Sequence, residues 1–126
     1  MPLRRSFDDD VLAALEKSKI LGIRAGSGNH RFIGVWMVVI ENRLFIRSWT
    51  LKPAGWFSTF LKEPRGTIQI GNREIPIRAI RTRSERLKAA VDRAYAVKYN
   101  TKASLKYVRG FKQARRRNST TELASL

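Results

Sequence analysis

Apolar positions along the chain alternate between two periods, and the changes of period mark the elements. Val11, Leu12 and Leu15 sit at helical spacing behind Asp8, Asp9 and Asp10, where the helix dipole favours negative charge. Ser6 is the expected N-cap of this first helix. Lys19 to Ala25 predicts a strand, closed by the turn Gly26-Ser27-Gly28-Asn29. Phe32 to Glu41 predicts a second strand that is apolar on both faces. Ile33, Val35, Met37 and Val39 alternate there with Trp36, Val38 and Ile40. Glu41-Asn42 turns the chain back into a third strand, Arg43 to Trp49.

Pro53 to Lys62 predicts a short helix with Trp56, Phe57, Phe60 and Leu61 on one face and Pro64 as its stop. Gly66 to Ile70 and Arg73 to Arg83 form a hairpin across Gly71-Asn72. Pro76 in its second arm predicts a local edge that is unpaired or bulged. Ser84 opens the strongest helix, in which Leu87, Ala90, Val91, Ala94, Tyr95 and Val97 run to Asn100. A weaker helix is expected over Ser104 to Phe111. Ser119 to Leu126 reads as a final strand or a frayed tail. Local hairpins without strand–helix–strand alternation favour a single antiparallel α+β barrel domain over residues 1–126.

Composition narrows the chemistry. With no Cys and one His, disulfide scaffolds, Cys-ligated metals, thiol nucleophiles and multi-His sites are excluded. The longest apolar run, Ile33 to Ile40, is too short to span a membrane, and no apolar segment follows Met1-Pro-Leu-Arg-Arg. A soluble, cytoplasmic protein is the expectation. The net charge of +16 is unevenly spread: residues 1–63 hold 10 basic and 6 acidic side chains, residues 64–126 hold 16 and 4. Such a basic half attracts polyanions or phosphate-bearing ligands, and charge alone does not choose between them.

Three stretches together carry a resemblance. They are the basic turn Arg24-Ala-Gly-Ser-Gly-Asn-His-Arg31, the Trp-bearing strand Gly34-Val-Trp-Met-Val-Val-Ile40, and Arg47-Ser48-Trp49 followed by Pro53-Ala-Gly-Trp-Phe-Ser-Thr-Phe-Leu-Lys-Glu-Pro64. Over roughly residues 18–100 the chain resembles the flavin-binding split-barrel proteins, most nearly the deazaflavin-dependent nitroreductase-like branch and its small bacterial relatives. The resemblance implies an α+β fold, a six-stranded antiparallel split β-barrel with flanking helices. It also implies a homodimer with FMN or a deazaflavin in a groove at the dimer interface. The function implied is that of a flavin-nucleotide-binding protein, an oxidoreductase of unknown substrate. Carried over by position, the cofactor contacts are Ser27, Asn29, Arg31, Arg47, Ser48 and Trp56. The chain departs from the family pattern in two places. Trp49-Thr50-Leu51-Lys52 stands where Gly-Gly is usual, and Thr59 where the helix motif has Asn.

The residues read by themselves point partly the same way. Glycines in Gly26-Ser-Gly-Asn-His-Arg31 let backbone N–H groups converge on an anion, with Arg31 adding charge. A dinucleotide fingerprint it is not, since Arg31 stands where the third Gly belongs and a strand follows. Arg47, Ser48 and Lys52 precede a helix and could hold a phosphate. Trp36, Trp49 and Trp56 are more simply core or dimer contacts than a stacking platform. His30 reads as a solvated loop side chain, and no catalytic triad or paired-carboxylate device can be assembled; any redox chemistry belongs to a cofactor. Lys102, Lys106, Arg109, Lys112, Arg115, Arg116 and Arg117 form an acid-free run with Tyr107 and Phe111 interleaved. That run supports an alternative function, a non-enzymatic basic barrel binding nucleic acid through residues 102–117, weakly and without sequence preference.

Overall fold

The computed structural model describes residues 7–126. Asp8 occupies the N-cap position of α1 (Asp9–Lys17), with the first-turn acids following it; the expected cap Ser6 lies outside the described residues. The α1 stripe buries Val11, Leu12 and Leu15. Seven strands follow: β1 (Leu21–Ala25), β2 (Ile33–Val35), β3 (Met37–Ile40), β4 (Arg43–Ile46), β5 (Arg65–Ile70), β6 (Arg73–Arg81) and β7 (Thr121–Ser125). The helices between them are α2 (Trp56–Lys62), α3 (Glu85–Lys98), α4 (Leu105–Gly110) and α5 (Ala114–Arg117).

All pairings are antiparallel, in the order β2-β1-β5-β6-β7-β4-β3. The two outermost strands are consecutive in the chain with only Trp36 between them, so the sheet curls into a nearly closed barrel. This is the split-barrel architecture, with one refinement of the expected six strands. The single strand expected over residues 32–41 breaks at Trp36, because its halves pair at opposite ends of the sheet. Val35 lies across from Leu21, and Met37 across from Ile46.

The break would orphan backbone groups, and α3 supplies their partners. The Tyr95 hydroxyl donates to the Trp36 carbonyl at 3.2 Å, and the Met37 N–H donates to the Tyr99 oxygen at 3.0 Å. Tyr99 in turn donates to the Lys19 carbonyl at 2.8 Å, and its ring stacks on Trp36 at 4.1 Å. A buried N–H without an acceptor costs about 1–3 kcal/mol, so these tyrosines hold the seam. Burial is the main reason both phenols titrate above their ordinary range, Tyr99 at about 12.

Two cores result. Inside the barrel, Leu21, Ile23, Met37, Leu44, Ile46, Ile68, Ile77 and Leu123 pack with the α1 stripe. Outside it, Val38 and Phe45 pack under Leu87, Val91, Tyr95, Val108 and Phe111 of the α3–α4 layer. The two-sided apolar pattern of residues 37–40 is therefore satisfied within one chain, one face per core. The final segment is a strand, and a central one: β7 lies between β6 and β4 with Leu123 fully buried. Pro76 stands beyond the Ile77↔Ser125 pair, where the β6–β7 ladder runs out, so its missing N–H interrupts nothing inside the ladder. Ser84 caps α3 by accepting from the Leu87 N–H at 3.2 Å. The last turns of α1 and α3 cap each other: the Lys98 ammonium donates to the Leu15 carbonyl at 3.0 Å, while Lys19 donates to the Lys98 carbonyl.

Candidate functional site

A cavity of about 510 Å³ opens where the seam, the loop after β4 and α4 meet. One wall is Ile33 to Trp36 with Ile20, the second is Arg47 to Thr50 with Lys52, and Gly55 and Trp56 with Tyr107 and Phe111 complete the lining. Five of these residues are aromatic, and no carboxylate is among them.

The second wall is fixed from behind. Arg47 is buried, with no accessible side-chain surface. Its Nε donates to Thr120 Oγ1 (2.8 Å), one terminal nitrogen to Asp92 Oδ1 (2.6 Å) and the Phe111 carbonyl (3.1 Å), and the other to the Lys88 carbonyl (2.9 Å). One side chain thus joins β4, α3, α4 and the segment leading into β7. Burial lowers the Arg47 pKa and the Asp92 hydrogen bond opposes that shift; the guanidinium keeps its charge. Asp92 also accepts from Arg117 Nε at 3.0 Å, and Arg117 continues to Glu85 at 2.7 Å.

Beyond Arg47 the loop stays tied. The Ser48 N–H donates to Ser119 Oγ at 2.8 Å, and the Leu51 N–H donates to Ser48 Oγ at 3.3 Å. Leu51 takes φ 55°, a left-handed conformation that costs a non-glycine residue about 1 kcal/mol or more. Trp49 is clamped on several sides. Arg116 lies over its ring at 3.7 Å and donates to its carbonyl at 2.8 Å, and Tyr107 and Phe111 meet it edge-on at 5.2 and 5.3 Å. Gly110 lies so close that a Cβ there would collide with the indole.

The residues expected to bind a phosphate are divided by this geometry. Ser48, Lys52 and Trp56 come together at the cavity. Lys52 is exposed on its rim without an ion-pair partner among the described residues, and Trp56 is half-buried against Phe60. Arg47 is at the cavity wall in position, but its fork is turned to the protein interior, where four donors are already engaged. Ser27, Asn29 and Arg31 are exposed and do not line the cavity. Their loop begins at Gly26, against Thr59 and Glu63, the far end of α2 from Lys52 and Trp56. His30 Nε2 lies 3.1 Å from the Ala25 carbonyl and ties the loop to β1. Sequence reasoning missed Gly110 and Tyr99, and read Arg116 only as one cation of the basic run. The pair Tyr107 and Phe111, at i, i+4 on a short helix, was the legible signal of an aromatic wall. No grouping of three His, Asp or Glu side chains that could hold a metal occurs among the described residues, and no helix of theirs is long and apolar enough to cross a membrane.

A nearly closed antiparallel barrel of seven strands, with helices flanking it and a cavity at the seam, defines a split-barrel α+β protein. The chain belongs to the bacterial family described as "Uncharacterized protein conserved in bacteria (DUF2255)", whose model matches residues 10–123. No curated protein matches its sequence. Among solved structures it is similar to a conserved hypothetical protein from Mycobacterium tuberculosis (TM-score 0.63, 10% identity, covering 98% of this chain and 81% of that one). It is also similar to a candidate pyridoxamine 5'-phosphate oxidase from Listeria innocua (0.58, 17%, 94% and 90%). A third similar structure is an FAD-binding protein from Mesorhizobium loti (0.57, 12%, 99% and 93%). At these identities the likeness is one of fold.

Proposed function

We propose that the protein binds a flavin-type nucleotide, FMN or a deazaflavin, in the seam cavity and acts as an oxidoreductase. The observation that carries this reading is the cavity itself: about 510 Å³, walled by Trp36, Trp49, Trp56, Tyr107 and Phe111, with Lys52 unpaired and no carboxylate in its lining among the described residues. Its volume is within the range of about 300–1,000 Å³ usual for cofactor sites. Aromatic walls suit a planar ring system, and Lys52 on the rim suits its phosphate. A bound flavin supplies the electron or hydride transfer. The chain's own residues bind and orient it: Trp49 is held rigid by Arg116 and Gly110, and Arg47 fixes the wall from behind.

Ser27, Asn29 and Arg31 enter this reading through a homodimer. Ile20 and Ile33 line the cavity and are 51% and 46% exposed, an apolar rim suited to a second copy whose own β1–β2 loop would close the groove. Titration with FMN and with a deazaflavin, followed by tryptophan emission, tests the site. Saturable quenching is expected, weakened at least tenfold by Trp49→Ala. Absence of quenching by either ligand overturns the reading. Light scattering tests the dimer.

A further inference from the structure

The seven cations of residues 102–117 fall into two groups. Arg116 clamps Trp49, and Arg117 bridges Asp92 and Glu85, so both are spent on the fold. Lys102, Lys106, Arg109, Lys112 and Arg115 are exposed, and none has an ion-pair partner among the described residues. Leu105 and Val108 donate to the Thr101 and Ser104 carbonyls, which carries the helical turn of α4 back to residue 101. Lys102, Lys106 and Arg109, at i, i+4 and i+7, therefore share the face opposite the buried Val108 and Phe111.

Some arginines elsewhere meet carboxylates, Arg73 with Asp10 at 2.6 Å and Arg86 with Glu41 at 2.7 Å, whereas this stretch supplies no carboxylate of its own. From Arg93 to Thr121 there is no Asp or Glu. Like charges one helical turn apart repel, and an anion that spans several of them relieves the repulsion. One phosphate is too small to do so; a chain of phosphates spaced along a strand is not. Tyr107, 40% exposed at the cavity mouth with Lys106 5.1 Å from its ring centre, offers a π surface to an unpaired base. Of the other large apolar side chains of α4, Val108 is buried and Leu105 half-buried, leaving little to insert into a bilayer.

We infer that the α4 face of Lys102, Lys106 and Arg109, together with Lys112 after that helix and Arg115 on α5, docks the phosphodiester backbone of a single-stranded nucleic acid without sequence preference. None of these five side chains lines the seam cavity, so the phosphate contacts stand apart from the flavin reading; Tyr107 alone is shared with it.

Fluorescence anisotropy with labelled single strands longer than about 16 nucleotides, at about 50 to 200 mM salt, tests it. Four or five phosphate contacts predict a slope of log affinity against log salt of about −3, at roughly −0.7 per contact on single strands. A Lys102→Gln, Lys106→Gln, Arg109→Gln variant should flatten that slope by about 2 and keep the wild-type circular dichroism and FMN response. An unchanged slope in this folded variant would overturn the assignment. So would tighter binding to duplex DNA than to single strands, or binding to phosphatidylserine vesicles without binding to the oligonucleotide.

Discussion

The loop joining β4 to α2 and the loop joining β1 to β2 each carry a serine close in sequence to an arginine. In the first, Arg47, Ser48 and Trp49 are held by α3, α4, α5 and the segment entering β7. In the second, the His30 ring contacts neighbouring carbonyls, while Ser27, Asn29 and Arg31 stand exposed. Similar residue types thus become a rigid cavity wall in one place and a free loop in the other. The difference lies in what the C-terminal third of the chain brings to each. A preorganised wall adds binding affinity, and of the two loops the first is the one held rigid at the cavity.

The sharpest way to break this contrast is Arg47→Ala. Removing one side of a buried ion pair costs about 3–5 kcal/mol, and here carbonyl and hydroxyl acceptors on three other elements also lose their donor. Urea denaturation followed by circular dichroism measures it; a loss below about 1 kcal/mol would show that the loop is not held from behind. Gly110→Ala should cost about 1–3 kcal/mol through overpacking against the indole, with a shift in tryptophan emission as Trp49 moves. Tyr99→Phe strands the Met37 N–H at the seam and should cost about 1–3 kcal/mol while leaving the ring stack on Trp36.

The barrel was largely legible because it rests on local signals. The Gly71-Asn72 hairpin, the Ser84 cap and the alternation through residues 33–40 each fix a neighbourhood of a few residues. Closure at Trp36 was not legible, because an unbroken apolar alternation runs through the break. It becomes a break only when Leu21 and Ile46 claim opposite halves of the strand. The site was legible by place and not by role. Lys52 and Trp56 do reach the cavity, but the inward turn of Arg47 depends on Asp92 and Thr120, 45 and 73 residues away. No local pattern encodes such a contact. Gly110 likewise looks like an ordinary helix end until Trp49 is seated on it.

A smaller effect separates the tied region by pH. Lys98 donates to the Leu15 and Met37 carbonyls, and desolvation, followed by repulsion from Lys19, lowers its pKa to about 8 from an ordinary 10.5. Between those values the unfolded chain binds more protons than the folded one, so stability should rise with pH. Tyr99 acts in the opposite sense. Burial raises its folded pKa to about 12, so above an ordinary value of 10 the unfolded chain loses its proton first and stability falls. A stability maximum near pH 10 is expected. Lys98 is only half-buried, so solvent screening keeps the rise well below the full shift. Lys98→Met should flatten the rise between pH 8 and 10 and preserve the fall above it. Parallel curves for variant and wild type would remove Lys98 as the cause.

The smallest effect belongs to the free loop and completes the contrast. Arg31 is exposed, with no hydrogen bond or ion pair to another side chain among the described residues, so Arg31→Ala should change stability by no more than about 0.5 kcal/mol. Its effect on flavin affinity should depend on the oligomer. If the loop closes a partner's groove, the variant weakens FMN binding at protein concentrations where light scattering gives a dimer mass and leaves it unchanged where the mass is that of a monomer. Gly26, where the loop starts, sits at the far end of α2 from Lys52 and Trp56, and a second copy is the proposed route by which Arg31 reaches the phosphate. Equal weakening in the monomer would mean that the β1–β2 loop folds back onto its own cavity. That result would place it with the β4–α2 loop as a wall and dissolve the distinction between them.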